Sequence, residues 1–182
     1  PIYLQQATIA AEDKNFYSNS GFDISAIIRA AIADLSGKPL QGGSTITQQL
    51  IKSALLTSEI SVKRKIKEII LAFWAERIYT KDQILEMYFN RIPYGGTAWG
   101  VEAASEVYFG RPIKDLNLAR SAFLAGLTKA PTLYSPYGQS PTLWKKRQEE
   151  VLTKMNQLRY ISPKQKEDAI KEKLTFSSRE VP

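Results

Sequence analysis

The chain has 182 residues, 43% apolar and 24% charged, which suits a folded globular domain and not a disordered one. It contains no cysteine and no histidine, which excludes disulfides, thiolate and iron–sulfur chemistry, a Ser-His-Asp triad and most zinc sites; acid–base work at neutral pH falls to Asp, Glu, Lys or Tyr. The net charge of +7 points to an anionic partner, whether nucleic acid, a phosphorylated substrate or a membrane surface, or else to a plain basic surface.

Helical signals recur along the chain. AAEDKNF (10–16) places Glu12 and Asp13 directly after apolar residues, near a helix end, and SNSGFD (18–23) reads as a stop and restart. Asp23 can cap a helix with Ile24, Ile27, Ile28, Ala31, Ile32 and Leu35 on its apolar side, stopped by Gly37 and Pro39. Thr45 and Gln48 form a capping-box pattern that opens a helix through Leu50, Ile51 and Leu55. Residues 61–79 read as a long helix with Ile66, Ile69, Ile70, Phe73 and Trp74 at helical spacing. Thr80 with Gln83 is a second capping box, opening a helix that carries Ile84, Leu85, Tyr88 and Phe89. RIPYGGTAWG (91–100) is a loop, followed by helices at about 101–108 and 118–129 and a Pro-rich connection over 130–141. Ser140 and Pro141 are expected to start a helix running to about Leu158, and Ser162, Pro163 and Gln165 to start the last one. No period-2 run of any length appears, so the expected class is all-α. No apolar run approaches the roughly 20 residues of a spanning helix, and no signal peptide is visible. Because the chain begins at Pro1, an excised fragment is expected, lacking an anchor that preceded it.

Several polar clusters ask for a ligand. QGGSTITQQL (41–50) combines glycines, hydroxyls and a glutamine pair where a helix begins, as a turn would that offers a helix N-terminus to an oxygen-rich ligand. Lys52 lies one turn past Gln48, and a Gln-Gln-x-x-Lys face suits a phosphate. KRKIKE (63–68) puts Arg64, Lys65 and Glu68 on one face, although such a set taken alone is more simply a surface pair worth a few tenths of a kcal/mol. Glu12 and Asp13, if held against apolar packing, can take up a proton; beside Lys14 they are equally a solvated acidic pair. Glu86 and Asn90 share one side of an otherwise apolar helix, suited to orienting a sugar, a loop or a neighbouring helix end.

In order, EDKNFYSNSG, QGGSTITQQ, RKIKE, KDQILEMYFN and RQEEVL (147–152) resemble the motifs of glycosyltransferase family 51, the peptidoglycan glycosyltransferase domain of class A penicillin-binding proteins and monofunctional transglycosylases. The resemblance covers nearly the whole chain, taken as one domain over 1–182. It implies an all-α, lysozyme-like head lobe with a smaller apolar membrane-facing jaw, inserted at roughly 22–40. It implies polymerisation of lipid II into β-1,4-linked strands with inversion and release of undecaprenyl pyrophosphate. Glu12 matches the family's general base and Glu68 its second glutamate, which either holds the basic residues in place or ligates a divalent metal, Mg or Mn; no organic cofactor is implied. Asp13, Ser44, Thr45, Gln48, Gln49, Lys52, Arg64, Lys65 and Asn90 match substrate-binding positions, with the cations near the pyrophosphate. Ser44 and Thr45 match positions near the base, and Arg147 falls in the last motif with a structural role. The implied partners are lipid II, the growing lipid-linked strand, the membrane surface and other cell-wall synthesis proteins, at the extracytoplasmic face of a bacterial membrane.

Two positions depart from the pattern: Asn19 stands where the family usually has His, and Ile60 where it often has Arg. They keep a non-catalytic, degenerate member in view. A lysozyme-like hydrolase is a further alternative; it would want a second carboxylate about 5 Å from the first if retaining, or about 6.5–9.5 Å if inverting. A nucleic-acid-binding module rests on charge alone, and helices that mix acids with bases argue against it.

Overall fold

The computed structural model describes residues 1–22, 44–55 and 61–177. The helix expected over 24–35, with most of the expected jaw, and Ile60 lie outside these residues. Among the described residues the helices are α1 (Ile2–Glu12), α2 (Ile46–Leu55), α3 (Val62–Ile78), α4 (Lys81–Arg91), α5 (Val101–Phe109), α6 (Leu118–Leu127), α7 (Pro131–Tyr134), α8 (Leu143–Gln157) and α9 (Pro163–Lys171). A 3-10 turn spans Ile113–Asp115, and one isolated bridge joins Pro93 to Trp99, with no strand among the described residues. The all-α expectation therefore holds.

The helix starts follow their caps. Thr45 and Gln48 bond reciprocally: the Thr45 N–H donates to Gln48 Oε1 (2.9 Å) and the Gln48 N–H to Thr45 Oγ1 (3.1 Å). Thr80 with Gln83, and Ser162 with Gln165, repeat the arrangement. Ser61 accepts the Arg64 N–H at 3.1 Å. The start of α8 differs from the expectation. The Ser140 carbonyl accepts the Leu143 N–H, so 140–143 is a tight turn, and the helix begins after Thr142 with no side-chain cap. The short α7 sits inside the Pro-rich connection, with Pro131 in its first turn.

The chain forms two compact units, one from residues 1–14 and from 89 onward, the other from 15–88. In the first, α6 is buried along almost its whole length. Ala119, Ala122 and Ala125 let it approach Ala7 and Ala10 of α1 and Val151, Leu152 and Met155 of α8. Side chains such as Leu152 and Met155, fully buried here, each contribute about 1.5–3 kcal/mol by leaving water. Phe123 meets Tyr108, Phe109, Trp144 and Phe176 at centroid distances of 5.0–5.5 Å, so Phe176 ties the segment after α9 to this core.

In the second unit Phe16, Ile46, Leu50, Ala72, Ile84 and Tyr88 are buried. Gly21 (φ +87°) lies against α3 so closely that a Cβ would come within 2.6 Å of the Ala72 carbonyl oxygen. Its own carbonyl accepts the Thr45 hydroxyl at 2.7 Å, which ties the start of α2 to that segment. The buried face of α3 holds Glu68 and Ala72, whereas Ile66, Ile70 and Trp74 of the expected apolar face point to solvent, followed by Ile78.

Candidate active site

Glu12 is the last residue of α1; the backbone turns extended at Asp13 (φ −156°), whose N–H still bonds the Ile9 carbonyl. Two side chains of the same unit address one of its oxygens. The Thr128 hydroxyl lies 3.0 Å from Oε1, and the Arg147 Nη2 lies 3.7 Å from it. Arg147 is buried in α8, donating Nε to the Gly126 carbonyl (3.3 Å) and Nη1 to Glu150 (3.2 Å). A Cβ on Gly126 would meet Arg147 Cγ at 3.0 Å, so the glycine makes room for the guanidinium stem. The Lys154 Nζ donates to the Ala11 carbonyl at 3.2 Å. Burial pushes the Lys154 ammonium below its ordinary range; Arg147 and Lys129 push the same way, and Glu12 and Glu150 oppose them. Tyr94 is fully buried, and its hydroxyl has no partner among the described residues. Burial raises its phenol, and the charge of Glu12 adds to the rise. Glu12 thus stands at a helix end, within hydrogen-bond distance of Thr128 and near the cations Arg147 and Lys154. Asp13 is buried beside it in sequence.

The second unit gathers the basic residues. In α3, Lys65 is ion-paired with Glu68 and donates to Ser44 Oγ at 2.7 Å. Glu68 is 2% exposed. Arg64, one residue earlier, has Nε and Nη1 buried with no acceptor among the described residues. In α2, Gln48 spends its carbonyl on the Thr45 cap while its Nε2 is buried without a partner among the described residues. Gln49 Oε1 accepts the Tyr88 hydroxyl at 3.2 Å, and Lys52 is exposed. Thr45 is buried, its hydroxyl divided between Gly21 and Gln48. Ser44, Lys65 and Glu68 therefore form one cluster, with Arg64 beside Lys65 in sequence and Thr45, Gln48 and Gln49 building the α2 start beside Ser44 in sequence.

The partner of Glu68 is the Lys65 ammonium, which also donates to the Ser44 hydroxyl, and no group of three acidic side chains comes together among the described residues. Those residues form an ion pair between Lys65 and Glu68. Asn90 and Glu86 of α4 are both exposed. Asn19, at the family's His position, accepts from the Gly21 N–H (3.1 Å) and from Lys81, which also pairs with Glu76. Arg147 was expected from its motif as a structural residue; its ion pair with Glu12 was not. Thr128 was missed altogether, since its hydroxyl meets a carboxylate 116 positions away and leaves no local pattern.

The profile of the transglycosylase family matches residues 1–156. Penicillin-binding protein 1A of Clostridium perfringens strain 13 is 45% identical over 181 residues, covering 94% of this chain and 27% of the relative. Penicillin-binding protein 1A of Aquifex aeolicus is 46% identical over 176 residues, covering 96% and 24%. A crystal structure of penicillin-binding protein 1A from Haemophilus influenzae superposes with a TM-score of 0.50 at 29% identity, covering 72% of this chain and 16% of that one. The chain thus spans about a quarter of the length of the curated relatives it matches.

Proposed function

The chain belongs to the transglycosylase family, and from that membership we propose that it is a peptidoglycan glycosyltransferase that polymerises lipid II. Glu12 removes the proton from the 4-hydroxyl of an acceptor N-acetylglucosamine. The freed oxygen attacks the anomeric carbon of the N-acetylmuramic acid at the donor's lipid-linked end. The bond to pyrophosphate breaks, its electrons leave on a phosphate oxygen, and a β-1,4 bond forms with inversion. One carboxylate on the nucleophile's side suffices, because pyrophosphate leaves as a stabilised anion and needs cations instead of a proton.

The observation that carries this reading is the state of Arg64. A guanidinium with two buried nitrogens that find no acceptor among the described residues is suited to an oxyanion, which offers charge-assisted bonds at both. Lys65, held by Glu68 and Ser44, and the exposed Lys52 add positive charge for the same pyrophosphate. Glu68 in this scheme is the residue that holds Lys65. The outer face of α3 supports a membrane surface as the place of work. Ile66, Ile70, Trp74 and Ile78 repeat every fourth residue and are 51–69% exposed, with Lys63 and Lys67 exposed among them. No described helix is long and apolar enough to cross a membrane.

The test is an incubation of labelled lipid II with the wild-type protein and Glu12→Gln, read on a glycan gel. A ladder of long strands from the wild type alone is the expected result. Intact lipid II in both lanes would refute the activity, and ladders in both would refute the base.

A further inference from the structure

Thr128 stands at the C-terminal end of α6 in helical conformation (φ −56°, ψ −27°), so the helix fixes where its hydroxyl lies. That oxygen has two acceptors at equal distance: Glu12 Oε1 at 3.0 Å and the Ala125 carbonyl at 3.0 Å. A hydroxyl carries one proton and two lone pairs, so it can turn from one acceptor to the other without moving its oxygen. While Glu12 is a carboxylate, donation to Oε1 is the stronger bond, because one partner is charged.

We propose that Thr128 is a positioning residue for Glu12 whose hydroxyl serves both protonation states of that carboxyl. The inference rests on the reading of Glu12 as the general base. In the transfer step the O–H bond of the sugar 4-hydroxyl breaks and its proton bonds to Glu12. The oxygen keeps the electron pair and forms the new bond to the anomeric carbon as the pyrophosphate departs. Glu12 has then changed from a charged acceptor to a neutral donor. Thr128 answers by turning its own proton to the Ala125 carbonyl and receiving the acid's O–H on a lone pair. Both arrangements use the same heavy-atom positions, so the base is held in place before and after it takes the proton. Arg147, at 3.7 Å from the same oxygen, attracts the carboxylate but has no lone pair to offer the acid.

The experiment compares Thr128→Val, Thr128→Ser and Glu12→Gln with the wild type, measuring kcat and KM for lipid II polymerisation and the melting temperature. Valine keeps the shape and removes the hydroxyl; serine keeps the hydroxyl and removes the methyl. The expected result is a fall in kcat of about tenfold for Thr128→Val, the scale of one lost hydrogen bond to a charged group. KM stays unmoved, the melting temperature falls by no more than the few degrees one lost hydrogen bond costs, and Thr128→Ser restores kcat. If Thr128→Val matches the wild type, or Thr128→Ser is as slow as Thr128→Val, the proposal is wrong while a dead Glu12→Gln leaves the base in place. If Glu12→Gln polymerises normally, the base reading fails and this inference with it.

Discussion

In the reaction we propose, Glu12 takes the proton while Arg64 and Lys65 supply charge, and the three are expected to respond differently to mutation. Glu12→Gln is expected to lose polymerisation by about 10²–10⁴-fold, the range for a general base, with its melting temperature retained; strand synthesis near the wild-type rate would refute it. Arg64→Gln removes a cation with two nitrogens unpartnered among the described residues, so it should raise KM for lipid II about tenfold or more and leave stability alone. An unchanged KM would remove Arg64 from the pyrophosphate. Lys65→Met is expected to act on the fold as well as on the charge, because it strands Glu68 as a buried charge. Its melting temperature should drop by several degrees and recover when Glu68→Gln is added; a double variant no more stable than Lys65→Met would show that the pair is not what holds the site. The sequence singles out these residues through the order of its motifs. It left Thr128 dark because a hydroxyl that meets its partner across the fold has no period or spacing. It also marked Gln48 both as the partner of the Thr45 cap and as a ligand residue; the structure keeps the cap, which uses the carbonyl and leaves Nε2 without a partner among the described residues.

At the level of helices, legibility followed the caps. Thr45, Ser61, Thr80 and Ser162 each place a hydroxyl where a first-turn N–H needs an acceptor, and each marks a helix start that the structure keeps. Ser140 has the same chemistry but bonds through its backbone carbonyl in a turn, so α8 begins later than the sequence suggests. The four residues of α7 are too few to show a period. The apolar spacing of α3 was readable, but its direction was not: periodicity marks a stripe and cannot say whether protein or solvent faces it. That stripe makes its own prediction. Ile70→Glu with Trp74→Glu should reduce co-sedimentation with anionic vesicles and slow polymerisation of lipid II embedded in vesicles, while lipid II in detergent is used at the wild-type rate. Vesicle binding equal to that of the wild type would exclude this face as a membrane contact. The changes fall on exposed positions, so the fold should persist.

For the molecule as a whole, the buried titratable groups of the first unit predict how stability depends on pH. Burial raises Tyr94, with the charge of Glu12 adding to it; burial likewise pushes Tyr108 up to about 12, opposed by a hydrogen bond from Ser135 and aided by Tyr137, and burial raises Tyr137 as well. An unfolded tyrosine ionises near 10, so between there and about 12 the unfolded chain has released protons that the folded chain keeps. Stability must fall as pH rises through that window. Lys145 and Lys154 act in the opposite sense. Burial lowers both, so the unfolded chain holds protons the folded one has lost, and stability rises with pH until the unfolded lysines discharge near 10.5. Above that point the tyrosines act alone. Chemical denaturation across alkaline pH should therefore show a stability that rises with pH to about 10–10.5 and then declines toward pH 12. Tyr108→Phe should cost about 1 kcal/mol near neutrality, because the hydroxyl that donates to the Tyr94 carbonyl at 2.8 Å is gone, and should soften the alkaline decline. Phenolate absorbance gives the independent check: of nine tyrosines, Tyr94 and Tyr108 should ionise only as the protein unfolds. If all nine titrate together near pH 10 with the fold intact, the burial of Tyr94 and Tyr108 is not what sets the alkaline limit.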